Sequence, residues 1–290
     1  MVSVKSAAYR SQNGERIRCQ FMTQAERRKK LIQEMMREMP EYADCPIPAD
    51  DDEAGQRALL RALFNVRPPY PASDEFLKVQ DEYLQERAIE KGITDSEKLP
   101  SCPTDPRICV WQGDITTLRV DAAVNAANSQ MLGCFRAGHT CVDNNFHTFS
   151  GVQLRAECSR QMQALKKKYG ENYEQPTAVP MITPGYNLPA KKVIHVVGPI
   201  VMGPLTRKYK EQLSECYRSC LELADKEGCR SIAFCCISTG VFQFPQDKAA
   251  EIAVKTVTRY LDEHPEGKIR RVIFNVFKDS DQKLYHKLLG

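Results

Sequence analysis

No run of 18 apolar residues occurs anywhere in this 290-residue chain, so no membrane-spanning helix and no membrane partner is expected. The opening stretch MVSVKSAAYRSQNGERIRC has no apolar core of the kind a secretory leader needs, and the expected location is the cytoplasm. Charge of one sign is scarce as well. The formal net charge is +4 and no long lysine or arginine tract appears, so nucleic acid is not an expected partner. The densest basic run, Arg27-Arg28-Lys29-Lys30, lies in a helical stretch and is expected to form a solvated face. Internal repeats and low-complexity tracts are absent from the sequence.

Cysteine is plentiful by contrast: twelve are scattered over the chain, and in a reducing compartment they are thiols, some buried and some available to metal. Cys134, His139 and Cys141 fall in one short stretch, GCFRAGHTCVDN, at spacing C-x4-H-x-C. Zinc accepts this mix of sulfur and nitrogen, and three protein ligands leave one position open, as a catalytic site requires. His147 extends the pattern and could close it into a structural Cys2His2 site. Its place at the start of a helical stretch over 144–168 favours packing or capping. His195 lies in an apolar strand and is expected to be a satisfied core histidine. Cys235 and Cys236, on alternate faces of a strand, and Cys216 and Cys220, on one helix face, are expected to pack as small apolar groups.

Two textures divide the chain. Over 1–100 the expectation is a helical extension. Thr23 and Glu26 form a capping box before Leu31, Ile32, Met35, Met36 and Met39 at helical spacing, and Pro40 closes that helix. The acidic linker ADCPIPADDDE leads to a second helix in AGQRALLRALFNV; RPPYPAS then precedes a third, from Asp74 to Lys91. The methionine stripe is expected to be core. Over 101–290 short apolar runs (RICVWQ, RVDAAVNAA, TAVPMI, KVIHVVG, SIAFCCI, RVIFNVF) alternate with helical stretches at 144–168, 206–227, 246–263 and 279–289. That alternation predicts an α/β fold, a three-layer α/β/α domain on a mixed, mostly parallel sheet, with ligands at the carboxyl ends of the strands.

Three loops after strands carry polar groups suited to a nucleotide. In Gly113-Asp114-Ile115-Thr116 the aspartate can accept from an exocyclic amine such as that of adenine, or can simply cap a turn. In Asn125-Ala126-Ala127-Asn128 small alanines permit close approach and the amides can hold sugar hydroxyls. In Ile237-Ser238-Thr239-Gly240-Val241-Phe242 successive amides around a glycine form a nest for a diphosphate; Phe242 could stack on a sugar or base, or belong to the core. This loop lacks the lysine of GxxxxGK[ST] and is not GxGxxG.

Taken in this order on an alternating chain, GDIT, VNAAN, VIHVVGP and ISTGVF resemble the macrodomain family, which binds ADP-ribose, over about residues 105–290. Where most macrodomains have a glycine-rich phosphate loop after the asparagines, this chain has GCFRAGHTCVDNNFH. In that respect it is similar to the zinc-containing macrodomains, a microbial branch with a helical N-terminal extension. The resemblance implies that Asp114 and Ile115 hold the adenine end, and that Asn128 holds the distal ribose. It implies one zinc on Cys134, His139 and Cys141, the ribose and phosphates lined by Cys141, Val142 and Asp143, and the diphosphate cradled by Ser238, Thr239, Gly240, Val241 and Phe242. Asn128 and Asp143 become the catalytic candidates, beside the metal. The implied activity is removal of mono-ADP-ribose from modified protein side chains. The implied partners are the modified protein, for some members a lipoyl-carrier protein, and a sirtuin-class ADP-ribosyltransferase.

A matched pair of carboxylates, the usual equipment for glycoside cleavage, is not evident in the sequence. Zinc beside the ribose could take its place as a Lewis acid or by acidifying a water, and Asp143 could orient or act as general base. Two other functions use the same pocket: a reader that binds ADP-ribose without cleavage, and a hydrolase of small ADP-ribose esters. Residues 1–100 could also serve as a docking module.

Overall fold

The first helix starts where the capping box predicts. The Thr23 hydroxyl accepts the Glu26 amide at 3.2 Å while the Glu26 carboxylate accepts the Thr23 amide at 2.7 Å. The structure, a computed structural model, describes residues 22–290 and, before them, only the backbone of two short paired strands, Ala8–Arg10 and Arg16–Arg18. Apart from those strands, the opening stretch MVSVKSAAYRSQNGERIRC, expected to hold no secretory leader, lies outside the described residues. Helices α1 (Gln24–Glu38), α2 (Glu53–Val66) and α3 (Asp74–Lys91) follow, each with a side-chain N-cap, from Thr23, Asp52 and Ser73. Leu31, Ile32, Met35, Met36 and Met39 are buried against Leu60, Leu63, Phe64, Phe76, Val79 and Tyr83, so the methionine stripe is core.

The basic run beside it departs from expectation. Arg28 is buried and donates from Nε to Gln56 at 3.0 Å, and Arg27 pairs with Glu82 of α3 at 3.0 Å. Lys30 pairs with Glu75 of α3, so helical periodicity turns three of the four cations into the contact between the three helices, where their stems add apolar cover and their heads meet carboxylate or amide.

A six-stranded sheet follows: β1 (Ile108–Gln112), β2 (Ala122–Ala127), β3 (Met181–Pro184), β4 (Lys192–Val197), β5 (Ser231–Phe234) and β6 (Arg271–Val276). In space the order is β1-β6-β5-β2-β4-β3, with every pair parallel except β3 against β4. Val124, Phe234 and Phe274 share one face by register. There Tyr217 of α6 (Arg207–Lys226) packs on Phe234, and Tyr285 of α8 (Asp279–Leu289) packs on Phe274. Asn125 and His195, opposite each other in the register, point to the other face. They meet Asp143 of α4 (Val142–Phe149) and Cys158 of α5 (Val152–Tyr169). Helix α7 (Gln246–Glu263) begins at Pro245, and the three layers are those predicted.

Several boundaries move. The stretch read as one helix over 144–168 is two, divided at Gly151, which has φ +96°. In TAVPMI only the last residues join a strand, since β3 starts at Met181. Strand β5 ends at Phe234, so Cys235 and Cys236 lie in the following loop rather than on alternating faces of a strand; Cys235 is buried and Cys236 half-buried. Cys216 and Cys220 are fully buried in α6 and pack as expected. No helix of the described residues is long and apolar enough to cross a membrane.

Candidate active site

Strand β2 leaves the sheet at Ala127, and the chain then turns through four left-handed residues, Met131, Gly133, Phe135 and Gly138, before α4 begins. This tight path folds Cys134, His139 and Cys141 together. Their ligand atoms all lie within 4.8 Å of one another, with Cys134 Sγ 3.2 Å from His139 Nδ1 and 3.9 Å from Cys141 Sγ. A tetrahedral zinc with bonds of about 2.3 Å to sulfur and about 2.1 Å to nitrogen needs edges of about 3.8 and 3.6 Å. The donors fit such an ion. His147 stays out of the triplet; it is buried in the last turn of α4, with Nε2 3.6 Å from Asp143 Oδ1. A closed Cys2His2 site therefore does not form among these residues, and the donor set leaves a fourth position open.

Asn144 joins the two sulfurs. Its side-chain nitrogen donates to Cys134 Sγ at 2.9 Å, and its backbone amide to Cys141 Sγ at 3.4 Å. Cys141 is also the N-cap of α4, where the helix terminus favours negative charge. Burial nonetheless pushes the Cys141 thiol up to about 12, so a cation at the triplet has to draw off its proton.

Behind the triplet lies a buried polar chain. Asn125 donates to Asp143 Oδ1 at 2.8 Å and stands 3.1 Å from His195 Nδ1, while Thr183 Oγ1 is 3.0 Å from His195 Nε2. His195 is the satisfied core histidine expected. Asn125, however, is an interior strand residue with no exposure, and only Asn128 belongs to the loop read as 125–128. Asn128 donates to Gly133 O at 2.8 Å and to Asp143 Oδ2 at 3.4 Å. Burial raises the Asp143 carboxyl to about 6, against the Asn125 hydrogen bond and the Arg155 charge.

The remaining predicted residues border the carboxyl ends of the neighbouring strands. Asp114 caps a turn at Ile115–Thr117, accepting from the Thr116 amide at 2.9 Å and its hydroxyl at 2.6 Å; the other carboxylate oxygen is ion-paired with Lys91 of α3. Burial acts to raise this carboxyl, but Lys91 and Thr116 hold it below the usual range. Ile115 is buried. In the loop after β5, Ser238 is left-handed and buried, and a Cβ on Gly198 would lie 2.1 Å from its hydroxyl, so the Ser238 side chain packs directly on the Gly198 backbone, where only glycine leaves room. The amides of Gly240, Val241 and Phe242 donate to no protein carbonyl among the described residues. Phe242 packs half-buried on the core, and Val142 opens α4, also half-buried.

Residues not singled out in the sequence also border this region. Arg155, buried, donates to Leu132 O at 2.8 Å and lies under the Phe135 ring. Arg61 of α2 donates to the His139 carbonyl at 3.3 Å. Phe277, just past β6 and 78% exposed, adjoins the turn whose Gly113 amide donates to Val276 O. In the sequence Phe277 is the last residue of the apolar run RVIFNVF, and nothing there sets it apart from the strand. Buried arginines reaching across the fold likewise carry no signal in the sequence.

The macro domain family model matches residues 124–253. A protein-ADP-ribose hydrolase of Treponema medium is 50% identical over 273 residues, covering 93% of this chain and all of that protein. A protein-ADP-ribose hydrolase of Staphylococcus aureus (strain MRSA252) is 47% identical over 256 residues, 88% of this chain and 92% of that one. Among solved structures, the Trypanosoma brucei macrodomain in complex with ADP-ribose superposes with a TM-score of 0.59 at 31% identity, covering 79% of this chain and 95% of that one. The chain belongs to the macrodomain family.

Proposed function

We propose that this chain is a protein-ADP-ribose hydrolase that removes mono-ADP-ribose from modified protein side chains, using one zinc ion on Cys134, His139 and Cys141. The observation that carries this reading is a three-donor metal triplet with an open position, in direct sequence continuity with Asn128 and Asp143, in a chain half-identical to proteins named for that activity. Residues 101–290 form the zinc-containing macrodomain and residues 1–100 its helical extension.

The residues divide the work by what their remaining hydrogen-bonding capacity permits. Asp114 has about one lone-pair direction left after Thr116 and Lys91, enough to accept the amine of adenine. Phe277 offers an exposed ring to the base, and Ile115 closes the wall beneath it. The free amides of Gly240, Val241 and Phe242, with Ser238 and Thr239, hold the diphosphate. Asn128 donates both amide hydrogens to the protein and accepts from Gln130 N at 3.0 Å, which leaves one acceptor direction for a ribose hydroxyl. Asp143, fixed from both oxygens by Asn125 and Asn128, orients the attacking water or the sugar and takes the proton released when water adds. Cys134, His139 and Cys141 would hold the zinc, which would supply Lewis acidity or acidify a water. Water and the protein-linked ADP-ribose thus become free ADP-ribose and the unmodified side chain. On the resemblance alone, the substrate is a lipoyl-carrier protein modified by a sirtuin-class transferase.

The test uses a mono-ADP-ribosylated protein incubated with wild type, with chelator-stripped protein and with Cys141→Ala. Release of ADP-ribose is expected only from the zinc-loaded wild type, with ADP-ribose still bound by the variant in calorimetry. Release at the wild-type rate by stripped protein would remove zinc from the reaction; tight binding without release by the zinc-loaded protein would make it a reader.

A further inference from the structure

The metal triplet draws its order from two residues that are not ligands. Asn144 has no solvent exposure, and its amide is wholly committed to the ligand loop. One side-chain hydrogen goes to Cys134 Sγ at 2.9 Å, the other to Arg136 O at 3.3 Å, and Oδ1 accepts the Cys134 amide at 3.3 Å. Its backbone amide donates to Cys141 Sγ at 3.4 Å. Both sulfurs thus receive an N–H from one residue, which suits thiolate and metal thiolate far better than thiol. Behind it stands Arg61, from outside the macrodomain match. Its guanidinium donates to the carbonyl of His139 at 3.3 Å and to the side chain of Asn145, and lies over the Phe149 ring. The third ligand therefore hangs from a loop whose far side is held by α2.

We infer that Asn144 and Arg61 are the positioning residues of the metal site, Asn144 aiming and stabilising both sulfurs and Arg61 fixing the histidine segment. This rests on the reading of Cys134, His139 and Cys141 as metal ligands. One consequence is that the helical extension contributes to the reaction centre itself, through Arg61.

Asn144→Asp keeps the side-chain shape but turns an oxygen toward Cys134 where a donor stood. Zinc affinity, measured by competition with a chromophoric chelator, is expected to fall about 10- to 100-fold, the usual effect of losing an outer partner of a metal ligand. In the cobalt(II)-loaded protein the sulfur-to-metal charge-transfer band should move to lower energy, because a hydrogen bond no longer stabilises the sulfur lone pairs. Arg61→Met, on a half-buried part of α2, should weaken zinc several-fold without moving that band. Thermal melting of the metal-free proteins reports folding separately. A folded Asn144→Asp protein with wild-type affinity and an unmoved band would overturn the inference for Asn144. Unchanged affinity in Arg61→Met would overturn it for Arg61; if Asn144→Asp does not fold, Asn144→Ser, which removes the donor to Cys134 without adding charge, takes its place with the same expected and overturning results. A wild type that takes up neither zinc nor cobalt would overturn the metal reading itself, an outcome visible before any variant is compared.

Discussion

His195 is an imidazole with no solvent exposure whose two nitrogens are matched, Nδ1 to an Asn125 donor and Nε2 to the Thr183 hydroxyl. That arrangement suits the neutral ring, with Nε2–H donating to Thr183, and burial takes its pKa down to about 3. His147, buried in α4, is held well below the usual range by burial, then by Arg155 and His195. In the unfolded chain a histidine binds its proton near 6.5, whereas folded His195 refuses it until about 3. Between those values the unfolded state holds more protons, so stability falls as pH is lowered, by about 1.4 kcal/mol per unit for His195. Urea midpoints of the metal-free protein should drop from pH 7 to pH 4, and His195→Gln should flatten that slope by about one proton. An unchanged slope in the variant would mean that His195 is not the group responsible.

The division of α4 from α5 turns on Gly151, with φ +96° and a Cβ site only 2.6 Å from Gln80 Nε2 and Gln153 Oε1. Gly151→Ala must strain the backbone and displace Gln80, whose own oxygen accepts the Val152 amide at 2.8 Å. We expect a loss of about 1–3 kcal/mol in denaturant unfolding, the range for a non-glycine residue in a forbidden conformation; a change under 0.5 kcal/mol would contradict it. The same position shows what sequence could yield. The apolar periodicity of 144–168 runs through Ser150-Gly151 without a fault, because both helices bury the same side, so pattern alone joins them. Helix ends governed by local chemistry were legible: Thr23 with Glu26, Ser73, and Pro245 before α7. The strand alternation and the C-x4-H-x-C spacing placed the sheet and the triplet for the same reason. What escaped depends on partners far along the chain. Asn125 reads as a loop amide until Asp143 and His195 are brought to it, Arg28 as a surface cation until Gln56 arrives, and Asp114 as a simple cap until Lys91 pairs with it.

At the scale of the molecule the extension and the macrodomain share groups that neither satisfies alone. Arg155, on α5, is buried and donates to the carbonyls of Phe64 at 2.9 Å and Asn65 at 3.1 Å, and to that of Arg67, all at the end of α2. Asn65 bonds Thr148 at 2.8 Å, Asp81 accepts from Asn187, at 2.6 Å, and Lys91 holds Asp114. Val152 completes the apolar cluster of α1 to α3. Residues 101–290 produced alone would leave Arg155 one of its four protein acceptors, Leu132 O, and open its guanidinium to water, and losing three hydrogen bonds from a charged group costs about 3–5 kcal/mol. Against a total of about 5–15 kcal/mol that is a large share, and a melting midpoint about 6–20 °C lower is expected. Hydrolysis of a small ADP-ribose ester should fall with it, since Arg61 and Lys91 are lost from the site's border. If the truncated protein instead melts with the full chain and cleaves the small ester at full rate, while losing only the protein substrate, the extension is a docking module and the shared groups are incidental.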